Sequence, residues 1–382
     1  MNYSFDQIIE RRNAYSTKWL KFSDNEVIPM WIADMDFSCP EEITNAMHKH
    51  LDKGVFGYTD TPESLTEIFI EKIKENSGWE IKKEWVVWVP GGVVGLNVAC
   101  KTTLAPGEIV MVPSPIYAPF TEAPENMERG FIKTDLKDVN GRLELDFESV
   151  KDLLSEDTKM FSFCNPHNPG GTVFRTEEIE ELSRICKEKN IIVCSDEIHS
   201  DLVLEEGATH IPFASFDDYN LENSITITGP CKTYNLAGFP IAAAVIPNNE
   251  LRSDFQRNTN GIVSHIDSMA FVAAEAAYSN GEKWHSELLN YLKLNREILL
   301  QGIREIEGLS LTGPEAGFLG WIDCRESGLE NPGNFFIEEA KVGVHDGAWF
   351  GNKDYVRINF GCPSSVLEEA LLRIKKAFSQ RN

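Results

Sequence analysis

Short apolar runs alternate with amphipathic stretches through the middle of the chain. Trp85 to Val89, Ile109 to Val112, Phe131 to Thr134, Met160 to Cys164, Ile191 to Cys194, Ile225 to Thr228 and Ile241 to Ile246 have the length and residue types of strands. Helical stretches such as Glu177 to Glu188 lie between several of them. This alternation predicts an α/β protein with a mainly parallel sheet covered by helices on both faces. From about Ile266 a helical pattern runs past Ile306, broken at Ser279-Asn280-Gly281, and reads as a connection out of the large domain. Beyond it, Leu309 to Leu311, Gly317 to Ile322 and Val356 to Phe360 are the predicted strands of a smaller α/β domain, with the N-terminal forty or so residues as its expected partner. The expected division is a large domain over 45–275 and a small domain, with its connecting helix, over 1–44 and 276–382.

Composition narrows the partners. A chain of 382 residues with 42% hydrophobic content can fill a sizeable core. Its 36 basic and 60 acidic residues give a formal charge of −24, which opposes both nucleic acid and anionic lipid. A small molecule or another protein is the expected partner. The eight cysteines lie singly, without a CxxC pair or the density of a disulfide scaffold, as suits a reducing cytoplasm. Met1-Asn2-Tyr3-Ser4-Phe5-Asp6 has neither a basic n-region nor an apolar h-region, and no stretch approaches the roughly 18 apolar residues of a membrane span. The expectation is a soluble, unprocessed cytoplasmic protein.

Two of the predicted strands deliver a reactive residue to their carboxyl ends: Ile191 to Cys194 leads to Asp196, and Ile225 to Thr228 leads to Lys232. Ligands of open α/β sheets bind beyond those ends. An acid and an amine presented there invite pyridoxal phosphate, whose aldehyde condenses with a lysine while a carboxylate keeps its ring nitrogen protonated. No metal is called for. Asn165-Pro166-His167-Asn168-Pro169-Gly170-Gly171 follows a third strand and is rich in turn-forming residues. In this order the set resembles the large domain of the fold-type I pyridoxal-phosphate enzymes, the aspartate-aminotransferase superfamily of class I/II. The strings Pro29-Met30-Trp31-Ile32-Ala33-Asp34-Met35-Asp36-Phe37, Gly54-Val55-Phe56-Gly57-Tyr58 and Asp346-Gly347-Ala348-Trp349-Phe350-Gly351 are similar to the cystathionine β-lyases of the MalY/PatB type.

The resemblance implies roles. Lys232 would hold the cofactor and, once displaced by a substrate amine, take the α-proton. Asp196 would pair with the ring N–H. Asn168 resembles the asparagine that bonds the cofactor's phenolic oxygen. His199 stands three beyond the aspartate, where aspartate aminotransferases have a tyrosine donating to the same oxygen; an imidazole can donate too, and a packing role is the other reading. Tyr117 resembles the aromatic stacked on the ring. Gly92, Val93 and Val94 match the phosphate turn, where backbone N–H groups at a helix start suit an anion. The superfamily's phosphate-binding serine three before the lysine and arginine eight after it are replaced by Gly229 and Pro240. Retention must then rest more on backbone donors and on Tyr58, which in the family reaches the phosphate of the neighbouring subunit and so implies a homodimer with shared sites. Arg357 matches the arginine that pairs with the substrate α-carboxylate.

The expected activity is that of a carbon–sulfur β-lyase acting on cystathionine or a related cysteine S-conjugate, releasing thiol, pyruvate and ammonia. Two alternatives stay open: an aminotransferase using the same cofactor steps, and a cofactor-binding regulatory protein with little turnover.

Overall fold

The structure, a computed structural model, describes residues 3–381; Met1 and Asn2, which open the segment read above for a leader, lie outside it, as does Asn382. Near the N-terminus β1 (Ile28–Pro29) runs parallel to Val342–Gly343, so the first forty residues pack with the C-terminal part of the chain. The large sheet follows: β2 (Val86–Val89), β3 (Ile109–Ser114), β4 (Gly130–Val139), β5 (Arg142–Leu145), β6 (Thr158–Cys164), β7 (Ile192–Asp196), β8 (Ser224–Thr228) and β9 (Ala242–Val245), in the spatial order β2-β9-β8-β7-β6-β3-β4-β5.

Its centre is parallel, from β4 through β3, β6 and β7 to β8, and its margins are antiparallel. β9 runs against both β8 and β2, and β5 folds back on β4 as a hairpin strand that the apolar pattern did not predict. Only Leu143 and Leu145 of β5 face inward, which leaves too short an apolar run to stand out. β8, with sequence Ser-Ile-Thr-Ile-Thr, is buried along its whole length, as a strand covered on both faces must be. In β9, Ala243 and Val245 pack in one core cluster and Ala242 and Ala244 in another, the alternation of a strand between two layers.

Register brings the functional ends level. Cys164 pairs with Asp196 and Asp196 with Ile227, so the segments leaving β6, β7 and β8 emerge side by side. The helix Gly92–Thr103 lies over these strands at very short range: a Cβ on Gly95 would come 3.0 Å from Ile227 Cδ1. That close approach holds the helix N-terminus beside the loop that leaves β8.

The interrupted helical pattern resolves into Ser268–Asn280 and Glu282–Arg304. The longer helix buries Trp284, Leu288, Leu292, Leu299 and Ile303 along one stripe. Beyond it, β10 (Ser310–Leu311), β11 (Leu319–Asp323), β12 (Val342–Gly343), β13 (His345–Asp346) and β14 (Tyr355–Asn359) complete the strands, and the order β10-β11-β14-β13 makes an antiparallel sheet of four. Arg357 lies in its interior, paired with Trp321 across β11 and with His345 across β13. Buried Asn295 of the long helix donates to Phe360 O and Cys362 O and fixes the exit of β14. No helix among the described residues is long and apolar enough to cross a membrane.

Candidate active site

Asp196 ends β7, where Oδ1 accepts from the N–H of Ile198 at 3.1 Å. Burial raises its carboxyl pKa from 3.8 to about 6, against the Ile198 bond and the charge of Lys232, which act to lower it. A buried carboxylate in this state lacks a cation of its own. Lys232 lies in the turn after β8, and its Nζ donates to Ala33 O at 2.8 Å. Burial lowers the lysine pKa, and the nearby Arg357 charge acts in the same direction. A lowered pKa favours the neutral, nucleophilic amine.

Arg357 is 2% exposed. Nη1 donates to Asn168 Oδ1 at 3.0 Å, and Nη2 donates to Trp31 O at 2.8 Å and to His345 Nδ1 at 3.4 Å. Its Nε has no partner among the described residues, and its Cζ lies 4.6 Å from the Phe350 ring centroid. None of the groups it bonds is a carboxylate, and burial lowers its pKa to about 9. A buried guanidinium bonded only to neutral groups is a strong receptor for an incoming carboxylate.

Asn168 joins this group, and its backbone carbonyl accepts from Tyr117 N at 3.1 Å, which ties the Tyr117 loop to the turn after β6. His199 is buried against Phe318, with ring centroids 6.0 Å apart, and its Nδ1 has no partner among the described residues. Burial and the charges of Lys232 and Arg357 depress its pKa to about 3, so it is neutral at ordinary pH.

Gly92, Val93 and Val94 form the first turn of Gly92–Thr103, whose N–H groups have no partner within the helix. Gly91, at φ +103°, caps it, and a Cβ there would lie 3.4 Å from Pro240 Cβ. Pro240 therefore sits beside the turn without offering a donor. A Cβ on Gly229 would come 3.0 Å from Ile241 O and 3.1 Å from Ala242 Cα, so the backbone there has no room for a larger residue. Tyr58 is 101% exposed, its nearest ring being His265 at a centroid distance of 6.0 Å. Alone among the residues singled out by sequence, it is not drawn into the site of its own chain.

The residues fit pyridoxal phosphate on structural grounds: a helix start for the phosphate, an uncompensated buried carboxylate for a ring cation, a neutral imidazole with an orphaned nitrogen, and an amine of lowered pKa. Sequence reasoning assigned no chemistry to Trp31, Ala33, His345, Trp349 or Phe350. In the sequence, the strings that contain Trp31, Ala33, Trp349 and Phe350 serve only as markers of resemblance. Asn359, two positions along β14 from Arg357, donates to Ile32 O at 2.6 Å and to Asp34 O at 2.7 Å. One face of β14 thus holds the segment 31–34 in place as part of the site wall.

Comparison with known proteins agrees with this geometry. Residues 25–374 match the family described as aminotransferase class I and II. The cystathionine β-lyase PatB of Bacillus subtilis (strain 168) is 35% identical, with 98% of this chain and 100% of that protein covered. The crystal structure of OvoB superposes with a TM-score of 0.96 at 44% identity, covering 99% of each chain. That of cystalysin from Treponema denticola, which contains pyridoxal 5'-phosphate, superposes with a TM-score of 0.96 at 30% identity and covers 100% of each.

Proposed function

Since the chain belongs to the aminotransferase class I and II family, and within it to the PatB/MalY-type group, we propose that it is a pyridoxal-phosphate-dependent carbon–sulfur β-lyase of cystathionine or related cysteine S-conjugates. The observation that carries this reading is that Lys232 lies within charge range of both Asp196 and a carboxylate-free Arg357, with Lys232 and Arg357 bonded to the same N-terminal segment. When bound, pyridoxal phosphate supplies an aldehyde that links to amines and a ring that withdraws electrons from the carbon bearing the amine.

The chain's own residues do the rest. Arg357 takes the substrate α-carboxylate through its planar fork and so orients the amino acid. Lys232 Nζ removes the α-proton, and the electron pair left at Cα forms a double bond to Cβ as the Cβ–S bond breaks and sulfur departs as thiolate. Asp196 would hold a proton on the ring nitrogen by its negative charge, and the N–H groups of Gly92, Val93 and Val94 would hold the phosphate. Tyr117 would face the ring, and Asn168 and His199 would bond its phenolic oxygen.

A homodimer belongs to the same reading. Tyr58, Val55 and Phe56 stand exposed at 101%, 76% and 61%, a surface suited to a second copy whose phosphate Tyr58 would reach. The cytoplasm is the proposed location, supported by eight free cysteines, seven of them buried. The test is release of thiol and pyruvate from a panel of cysteine thioethers without added keto acid. Absence of thiol from every member, with cofactor fully bound, rejects the lyase reading.

A further inference from the structure

We propose that the site selects cysteine conjugates whose sulfur carries a flat aromatic or heteroaromatic group, and that Trp349 is the residue that reads it. The inference rests on the reading of Arg357 as the carboxylate anchor and adds the part of the substrate beyond the sulfur.

Four rings follow one another beside Arg357. Trp31 meets His345 edge-on at 5.6 Å, His345 stacks on Trp349 at 4.5 Å with a 24° interplanar angle, and Trp349 meets Tyr117 edge-on at 5.3 Å. Phe350 backs the row, 4.9 Å from Trp349 and 5.0 Å from His345. The row touches the anchor at His345, whose Nδ1 accepts from Arg357 Nη2 at 3.4 Å, and between His345 and Tyr117 it comes to the surface at Trp349, which is 38% exposed. An indole held by three rings and still open to water offers a fixed apolar surface on the rim of the cleft.

The wall is also neutral. The Arg357 bond places the His345 proton on Nε2, and burial together with the Arg357 and Lys21 charges drives its pKa down to about 3. Lys21, the cation on the Trp31 side of the row, is already seated over the Trp31 ring with Nζ 4.2 Å from the centroid. A conjugate anchored by its carboxylate at Arg357 meets rings along this row, and a planar substituent gains the offset or edge contacts that a puckered one of equal size cannot make.

The test compares S-benzyl-L-cysteine with S-(cyclohexylmethyl)-L-cysteine, which both bond sulfur to a CH2 group and differ in the flatness of the ring, the Trp349 variants separating ring contact from the greater acidity of the benzyl thiol. The wild-type holoenzyme should prefer the benzyl conjugate in kcat/KM by about three- to tenfold. Trp349→Ala should bring the ratio close to one, and Trp349→Phe should retain most of it, with pyridoxal phosphate occupancy and secondary structure checked in each variant. Equal kcat/KM for the two substrates in the wild type overturns the proposal. So does a preference that survives Trp349→Ala, or a larger gain from cystathionine that Lys21→Ala removes, which would assign the subsite to a distal carboxylate. Failure of the lyase reading is separate: it appears as no thiol from any conjugate.

Discussion

Lys232 Nζ donates to the carbonyl oxygen of Ala33 across 199 positions of the chain. Two residues earlier in the same segment, Trp31 O accepts from Arg357. The amine of the large sheet and the guanidinium of the small one therefore rest on carbonyls two residues apart in one N-terminal segment. That segment has little sheet pairing of its own: Asn359 holds it from one side, and Asn235, which bonds Met35 N, Met35 O and Phe37 O, holds it from the other. Under the proposed roles of Arg357 and Lys232, substrate recognition and proton transfer would be coupled through its position.

Behind this segment Asp36 accepts from Lys18 Nζ at 2.6 Å, Arg11 Nη1 at 2.6 Å and Trp19 Nε1 at 2.8 Å. Burial alone would raise its carboxyl pKa, but Lys18, Trp19 and Arg11 together hold it below the ordinary value. Asp36→Asn leaves the buried Lys18 only the more distant Asp34 carboxylate, 3.9 Å away, and should cost up to about 3–5 kcal/mol. Because the folded pKa is depressed, this stabilisation is present above about pH 4 and is lost as pH falls through the folded value. Thermal melts of wild type and variant should converge in acid. A constant gap from pH 8 to pH 3 would contradict the assignment.

Asp196 predicts the opposite pH dependence in cofactor-free protein. Its folded pKa, about 6, lies above the ordinary 3.8, so the folded state binds the proton more tightly and stability falls as pH rises across that window. Asp196→Asn should therefore stabilise the apoprotein above pH 6 by about 1–3 kcal/mol, with no gain near pH 3. In the holoenzyme the same change should lower kcat with little effect on KM, since an amide cannot hold a ring cation. A variant apoprotein less stable than wild type at pH 8 would contradict the account.

Arg357→Lys keeps a positive charge but loses the planar fork. Loss of one charge-assisted bond is worth about 1.5–3 kcal/mol, so kcat/KM should fall by about ten- to a hundredfold, mainly through KM. Unchanged KM would remove Arg357 from substrate recognition.

Tyr58→Phe should cause cofactor loss on dilution, at a cost of about 1.5–3 kcal/mol. Neither Gly229 nor Pro240 offers a side-chain donor for the phosphate. When Tyr58→Phe and Lys232→Ala chains are co-expressed, each mixed dimer contains one site with an intact lysine and an intact tyrosine. Activity should return in mixed dimers and be absent from Lys232→Ala alone. No recovery in demonstrated mixed dimers would place Tyr58 outside the partner's site.

Much of this was legible in the sequence because strand ends carry chemistry in an α/β sheet. Asp196 and Lys232 stood after apolar runs, and the structure sets those runs as β7 and β8, side by side and buried. The hairpin strand β5 and the antiparallel direction of β9 were not legible, since direction depends on connections and pairing rather than on local periodicity. In the site, the backbone contributions of Trp31 and Ala33 were invisible for a related reason: carbonyl oxygens are the same in every residue, and only the fold decides which of them face Lys232 and Arg357. His345 escaped notice because its ring acts through Arg357 and Trp349, which lie near it only once β13 pairs with β14.

The most direct measurement is the product stoichiometry from L-cystathionine with no keto acid added. Elimination driven by Lys232 should yield homocysteine, pyruvate and ammonia in equal amounts over many turnovers. With an amino acid that lacks a β-leaving group, turnover should stay slow even when 2-oxoglutarate is supplied. Efficient amino transfer to 2-oxoglutarate, with no thiol released from cystathionine or simpler S-substituted cysteines, would contradict the lyase assignment and make the protein an aminotransferase.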